Sequence, residues 1–486
     1  MKNQNKYAYK RYFLIFSFIV FLFQNLSFAQ DKQSIASISV ENISLCQDWA
    51  LEDSYKMQWC FRLFSRLIST QEFKRSGQDD DYFEEINQSE LANAILRESI
   101  AGSKEDVALF FVNRVKDINS PDQSKNNALF YASASGSEIV LESLLSRPDV
   151  EINKKNESGM TALHKAAQNG HIEIAKALLD HKAKIDIRSD TYNTPLHYAV
   201  INNHGAMAKI LIDYDAGIHV KNFFDISPLE YAVDHENTEL ISLLVESGAL
   251  INEPDSKGYL SLYHAVMKKN IEMIKLMVEL GADLSILDSH GRSIGSYAAK
   301  LGDLEVLETL LDLNMNVDAV DASGASLVYY ASTFNQVPAL EFLLDQGADP
   351  NISNRDLRSP IQQAILNQNK EIVAILIRKG IRINDSDLEG WTSLQMALIY
   401  GDEEMVLMLL RKGANIDFVT KKRQTALHLA TSKAYLNVVE VLIDKGAELN
   451  ALDEQLRTAL DIAANLTNTQ IEDFLRSKGA KKGSEL

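Results

Sequence analysis

Cysteine is scarce in this chain of 486 residues, which contains only Cys46 and Cys60. Because no cysteine follows residue 60, disulfides cannot hold the rest of the fold together. The same absence excludes a cysteine nucleophile or a thiolate metal cluster from most of the chain.

Positive charge is also in short supply. Lysine and arginine number 49 against 67 aspartates and glutamates, which gives a formal net charge of −18. A nucleic-acid partner would require a clustered basic face to neutralise phosphates, so this composition argues against one. No HExxH motif, pair of CxxC motifs, phosphate-binding glycine loop or nucleophile elbow occurs. We therefore expect no catalytic residues, no metal ligands and no cofactor.

The chain has one long apolar run, Phe13–Phe23, and it lies near the N-terminus. Basic residues precede this run, and Ser27, Phe28 and Ala29 follow it. This pattern predicts a signal peptide over residues 1–29, cut between Ala29 and Gln30, and therefore export to a bacterial periplasm or secretion. In the alternative, an uncleaved segment anchors the protein to the membrane.

Residues 30–88 form a separate N-terminal segment that contains both cysteines and ends in an acidic linker. Export to an oxidising compartment favours a disulfide between Cys46 and Cys60 if the segment folds as helix-turn-helix. A single straight helix would hold the two residues roughly 21 Å apart, too far for a bridge. The sequence leaves both arrangements open.

The rest of the chain is organised around one alanine that recurs at every 33rd residue. The register is unbroken over ten units: Ala166, Ala199, Ala232, Ala265, Ala298, Ala331, Ala364, Ala397, Ala430 and Ala463. A methyl side chain fixed at one position implies that another backbone packs close against it. The chain is therefore a repeat array.

Each unit also has its own start and stop residues. Five residues before the alanine, a serine or threonine suits a helix N-cap in nine units. A second amphipathic stretch then ends at a glycine suited to the left-handed C′ position, as at Gly248 and Gly281. The unit is predicted to contain two helices joined by a turn and followed by a projecting loop.

The segment Thr194-Pro195-Leu196-His197-Tyr198-Ala199 matches the TPLHxA motif of ankyrin repeats, and the sequence resembles that family. The resemblance implies an all-α ankyrin-repeat solenoid of about twelve helix-turn-helix units with projecting hairpin fingers. It covers residues 89–480, with degenerate first and last units as caps and a tail at 481–486. In the family, the motif histidine bonds the adjacent loop, which implies structural roles for His164, His197 and His428. The pattern is weakest between Asp288 and Ser332, which we expect to be the loosest segment.

The resemblance further implies a non-enzymatic scaffold that binds proteins through its finger tips and the exposed ends of its first helices. The main alternative is an accessory or inhibitor protein that masks or protects a single enzyme. Chemistry in the N-terminal segment is a more remote alternative. The sequence identifies no particular protein partner.

Large or charged side chains in the variable finger and helix-end positions are the candidate contacts. We expect Trp391 and Tyr400, which share one unit, to form the centre of the partner footprint. The other candidates on these surfaces are Phe334, Arg358, Lys421, Tyr259, Phe223 and Phe224.

Overall fold

The computed structural model describes residues 90–486. The signal segment with its cleavage site at Ala29 and Gln30, and the pair Cys46 and Cys60, lie outside the described residues. Within residues 90–486, no helix has the length and apolar character needed to span a membrane.

The described chain contains 24 α-helices in twelve consecutive pairs and no β-strand, as the repeat pattern predicts. The first helices of the pairs are α1 (Glu90–Ala101), α3 (Ala128–Ser135), α5 (Ala162–Asn169), α7 (Pro195–Ile201), α9 (Pro228–Asp234), α11 (Ser261–Met267), α13 (Ile294–Leu301), α15 (Leu327–Thr333), α17 (Pro360–Leu366), α19 (Ser393–Tyr400), α21 (Ala426–Ser432) and α23 (Ala459–Asn465). The second helices are α2 (Glu105–Val112), α4 (Glu138–Leu145), α6 (Ile172–Asp180), α8 (Gly205–Asp213), α10 (Thr238–Glu246), α12 (Ile271–Glu279), α14 (Leu304–Asp312), α16 (Val337–Asp345), α18 (Lys370–Arg378), α20 (Glu403–Arg411), α22 (Leu436–Asp444) and α24 (Thr469–Ser477).

The described residues fall into two compact units, one of residues 90–166 and 171–184 and the other of residues 167–170 and 185–486. In the first unit, the Arg147 guanidinium donates to the carbonyls of Val112 and Val115, each at 2.8 Å, and so ties α4 to the end of α2. Glu98 occupies the alanine position of the first pair and is exposed, whereas Ala132 in the next pair is fully buried. A charged residue is tolerated at Glu98 because this position faces solvent within the described chain.

All ten alanines of the 33-residue register are fully buried, with no exposed surface. In the second unit, neighbouring first helices pack directly against each other along this row. Close-packed interiors leave no room for extra methylenes, which explains why the register admits only a methyl group.

The predicted helix boundaries are confirmed at most units. The hydroxyls of Ser227, Ser293, Ser326, Thr392 and Thr425 each accept a hydrogen bond from a backbone N–H in the first turn of the following helix. The stop glycines, including Gly248 and Gly281, have positive φ values that a side chain would oppose. The exceptions include α11, whose N-cap position holds Leu260, and α17, whose Ser359 hydroxyl has no hydrogen-bond partner in the described chain.

Between successive helix pairs, five-residue hairpins project as fingers. In each finger the backbone N–H of the first residue donates to the carbonyl of the last, as from Asp255 N–H to the Tyr259 carbonyl at 2.7 Å. Successive fingers are joined by a further backbone bond, here called a rung. In the second unit the rungs have donor and acceptor residues Phe223 and Thr191, Ser289 and Gly258, Ala322 and Gly291, Arg355 and Ser323, Leu388 and Asp356, and Glu454 and Lys422.

Two rungs are missing from the second unit. No backbone bond joins finger 222–226 to finger 255–259; instead, the Ser256 N–H donates to Glu230 Oε2 at 3.3 Å. Glu230 stands at the position that holds histidine in TPLHxA, so its side chain accepts a bond where histidine would donate one. The second gap lies between finger 387–391 and finger 420–424.

The segment Asp288–Ser332, which we expect from its weak motif to be the loosest, keeps its rungs and its helix cap. Rungs join its fingers on both sides, and the Ser293 hydroxyl caps α13. Gly295 replaces the usual leucine, but a Cβ there would meet Leu327 at 2.6 Å and Met315 at 2.9 Å. The neighbouring side chains have filled the space, which a sequence motif alone does not reveal.

Candidate functional site

In several fingers, a buried aspartate accepts hydrogen bonds that hold the finger in shape. In finger 321–325, Asp321 Oδ1 accepts from the N–H groups of Ser323 and Ala325 at 2.8 and 2.9 Å, and Oδ2 accepts from the Tyr330 hydroxyl at 2.6 Å. Burial alone would raise the pKa of Asp321, but these donors and the Ser323 hydroxyl outweigh it and hold the pKa below its ordinary value. The carboxylate therefore locks the finger to the helix behind it.

The same lock recurs in neighbouring units. Tyr297 donates to Asp288 at 2.5 Å, and His264 pairs with Asp255 at 2.7 Å. Burial, followed by the hydrogen bond to the aspartate, raises the pKa of Tyr297. The polar groups of Tyr297 and His264 are therefore bonded within the fold and do not bind a partner.

Finger 387–391 lacks this lock because Met396 replaces the tyrosine. Asp387 Oδ2 has no hydrogen-bond partner in the described chain, although the Asp387 side chain is only 2% exposed. The nearest cation is Arg358, whose Nη2 lies 3.6 Å from that oxygen. Arg358, which the sequence predicts as a partner contact, is half-buried and compensates this buried carboxylate.

Trp391, the predicted centre of the partner footprint, is half-buried. Its backbone carbonyl accepts from Gln362 Nε2 at 2.7 Å, and its N–H donates to Asp387. Tyr400 is 49% exposed, but it is the last residue of α19, whereas Trp391 precedes the start of that helix. An eight-residue helix separates the two rings by about 10 Å along its axis, so they do not form one compact cluster.

Tyr259 and Phe334 pack against rings of their own surroundings. Tyr259 stacks on Tyr263 and on His290, with ring centroids 4.1 and 4.7 Å apart. Phe334 is 41% exposed and lies parallel to Tyr330, with the Lys300 ammonium 4.9 Å from its ring centre. Tyr259 therefore stabilises the contact between fingers, while Phe334 stays partly exposed beside Tyr330 and Lys300.

The motif histidines have the structural role that the resemblance implied. His197 Nδ1 accepts from the Thr194 N–H at 3.2 Å, and its Nε2 lies 3.2 Å from the Ile226 carbonyl in the next finger. His428 bonds Thr425 and the Arg457 carbonyl in the same way. Burial lowers the pKa of His197 to about 4, so the ring is neutral at physiological pH. Residues 90–486 contain no cluster of three or more histidine and acidic side chains arranged to hold a metal ion.

Phe223 and Phe224 are the most exposed aromatic rings among the predicted contact residues. They are 66% and 61% exposed, at the tip of finger 222–226. Phe223 meets Phe224 edge to face at 5.4 Å, and it meets Tyr192 of the preceding finger at 5.9 Å. Tyr192 is itself 48% exposed. We call Tyr192, Phe223 and Phe224 the aromatic tip patch.

The candidate list from the sequence omits Tyr192, although the repeat alignment contained the signal. Its position in the finger holds glycine in several units, including Gly258, Gly291 and Gly324, because the backbone there has positive φ. Tyr192 adopts the same conformation with φ of 60°. A left-handed conformation costs a residue other than glycine about 1 kcal/mol or more. An exposed ring is thus held in a strained position that glycine would occupy without cost.

We expect Tyr192→Gly to raise the free energy of unfolding by about 1 kcal/mol, because glycine relieves the left-handed strain. Urea denaturation followed by circular dichroism measures the change. Tyr192→Ala is the matched control, since it removes the ring and keeps the strain. A Tyr192→Gly protein less stable than the original would mean that the ring contributes more through packing than it costs.

Comparison with known proteins identifies a family and a similar solved structure. A family model described as ankyrin repeats in three copies matches residues 129–222, 186–255, 216–288, 262–354, 328–420 and 412–485. A solved structure of the ankyrin repeat domain of Bcl-3, a member of the IκB protein family, is 26% identical. That match covers 45% of this chain and 99% of the Bcl-3 chain, with a TM-score of 0.42.

The family matches run from residue 129 to residue 485, which is most of the chain, and the chain belongs to the ankyrin-repeat family. Ankyrin repeats are generally protein-protein interaction scaffolds and typically non-catalytic. Ankyrin-repeat domains bind other proteins, and the question for this chain is which surface does so.

Proposed function

We propose that this protein is a non-enzymatic scaffold that binds another protein through the aromatic tip patch. The observation that carries the proposal is the contact of three exposed rings, Tyr192, Phe223 and Phe224, across two adjacent fingers. Scattered exposed apolar residues are ordinary, but a cluster of aromatic rings on a rigid support is a common anchor for a protein partner. The backbone strain at Tyr192 supports the same proposal, because a tyrosine occupies a position that favours glycine.

One rung and the buried His197 fix the two fingers of the patch relative to each other. Phe223 N–H donates to the Thr191 carbonyl at 3.0 Å, which joins the two fingers, and His197 bonds the Ile226 carbonyl from behind. A preorganised surface loses little conformational entropy on binding, so its rings contribute more to affinity. The patch therefore replaces Trp391 as the proposed centre of the footprint.

Phe223→Ala combined with Phe224→Ala is expected to weaken partner capture by about 2 kcal/mol or more, close to thirtyfold. The measurement is co-purification from an extract of the producing cells with quantitative mass spectrometry, followed by affinity measurement with the protein recovered. The matched control is Leu304→Ala combined with Leu466→Ala, which removes two exposed apolar side chains, 43% and 49% exposed, elsewhere on the surface.

Equal capture by both double variants would contradict the patch assignment. The same experiment separates the scaffold from the alternative function, an accessory or inhibitor protein. Recovery of one enzyme that loses activity when bound would favour the inhibitor, whereas several partners that compete for the patch would favour the scaffold.

We further propose that the protein is exported, on the basis of the basic, apolar and small-residue pattern in residues 1–29. The mature chain is then expected to begin at Gln30. Mass spectrometry of the N-terminal peptide from protein produced in a bacterium measures this directly. A chain that still begins at Met1 would favour the uncleaved anchor.

A further inference from the structure

Three consecutive basic residues, Lys421, Lys422 and Arg423, form the tip of finger 420–424 and all three are exposed. The protein as a whole carries a formal charge of −18, so this tip is opposite in sign to the rest of the molecule. Two exposed apolar side chains accompany it: Val419, 66% exposed, and Leu388 on the preceding finger, 65% exposed. We call these five residues the basic tip patch.

The three basic side chains are unpaired. Within the described chain none of them forms an ion pair, whereas other surface cations do. Lys370, for example, contacts Asp402 and Glu404, at 2.5 and 2.9 Å. Arg457 contacts Asp453 at 2.8 Å. Like charges that form no ion pair repel one another and do not stabilise the fold. A bound group of opposite charge would remove this repulsion.

The backbone of this finger has the conformation of its neighbours but lacks one rung. Arg423 has φ of 55°, as Leu357 and Leu456 have φ of 54° and 58° at the same position of fingers 354–358 and 453–457. The rung from finger 387–391 is missing, and the Lys421 N–H makes no hydrogen bond in the described chain. An exposed amide without a partner beside two apolar side chains can receive the carbonyl of an extended peptide.

We infer that the basic tip patch is a second docking surface, and that it takes an acidic, extended segment of a partner protein with an apolar residue at its centre. The backbone from Lys421 to Arg423 spans about 7 Å, inside one Debye length of about 8 Å, so the three charges act together on a bound anion. The exposed carboxylates on the two flanking fingers, Glu389 and Glu454, form no ion pair with them within the described chain. Leu388 and Val419 supply the apolar contact, and the Lys421 N–H supplies the backbone hydrogen bond. Binding at the basic tip patch does not require the aromatic tip patch.

The test is a selection from a phage-displayed library of random peptides on the immobilised full chain. Phage that also bind the variant with Lys421, Lys422 and Arg423 each changed to glutamine are removed. The peptides that remain are expected to be rich in aspartate and glutamate around a leucine or phenylalanine. A synthetic peptide from this set is expected to bind the triple variant about tenfold more weakly, as three exposed ion pairs would give.

The matched control changes Lys257, Lys275 and Lys445 to glutamine, which removes the same charge from exposed positions on other units. It is expected to bind the peptide as the original chain does. Leu388→Ala combined with Val419→Ala is expected to weaken binding while leaving its salt dependence unchanged, because apolar contact does not depend on ionic strength as ion pairs do.

Several results would overturn the inference. One is a selection that yields no peptide specific to the intact tip, and another is peptides without acidic residues. Equal weakening by the two triple variants would reduce the effect to overall charge. Tighter binding of phosphatidylglycerol vesicles or duplex DNA than of the peptide, lost in the same triple variant, would assign the tip to a different anion. Unchanged thermal unfolding of the variants confirms that they are folded.

Discussion

Ala265→Leu is expected to lower the free energy of unfolding by roughly 1–3 kcal/mol, because the added methylenes have no space in a fully packed row. Ala265 is completely buried in α11, and its neighbours in the row are Ala232 and Ala298, which are equally buried. The repeat before it and the repeat after it pack against this helix, so the strain affects three units. Denaturant unfolding followed by far-UV circular dichroism gives the midpoint and the slope.

Ala101→Leu is the control for the chemical change itself. Ala101 is the last residue of α1 and is exposed, so leucine there should change the midpoint by no more than ordinary surface substitutions do. If Ala265→Leu shifted the midpoint as little as Ala101→Leu does, the alanine row would not be the close contact between repeats that the structure describes.

Asp321→Ala is the second substitution with a large expected effect, a loss of about 2–4 kcal/mol. It removes the acceptor of four hydrogen bonds and leaves the half-buried Tyr330 hydroxyl without its partner. Asp312→Ala is the matched control, because Asp312 is exposed at the end of α14. Equal losses from the two substitutions would mean that the finger is not held by its aspartate.

The Asp321 variant should also respond differently to pH. The folded-state pKa of Asp321 lies below its ordinary value, as do those of Asp255 and Asp453, so each carboxylate contributes stability above the unfolded pKa near 4. That stability is lost as pH falls through the folded-state pKa. The original chain is therefore expected to lose stability below about pH 4, and Asp321→Ala to show a shallower loss, as measured by thermal unfolding across this range.

The sequence predicted the fold well because its determinants are local and repeated. Ala265 could be placed in a contact because nine other units show the same residue at the same spacing. The N-cap residues and stop glycines were equally readable, since each acts within one turn of its own helix. Twelve helix pairs follow from that information alone.

The candidate site was less predictable because exposure depends on neighbouring units. Trp391 stands in a variable position, but Gln362 of the previous unit donates a hydrogen bond to its backbone carbonyl. Arg358 stands in a variable finger position, yet its guanidinium lies beside Asp387, because Met396 stands where other units have the tyrosine that bonds the aspartate. Tyr192 is recognisable from the sequence as a residue that replaces a finger glycine. This criterion depends on the backbone conformation that the position requires and does not depend on the type of side chain.

The two missing rungs also determine where the array is expected to open first. Each rung ties one finger amide into a neighbouring unit, so a gap leaves the helices on either side joined by fewer bonds than elsewhere. Native-state amide hydrogen exchange should therefore divide residues 185–486 into three cooperative blocks with boundaries near residues 226–255 and 391–420. The aromatic tip patch ends the first block and the basic tip patch spans the second boundary. A partner bound at the basic tip patch would slow exchange across that boundary by joining two blocks that the backbone leaves apart.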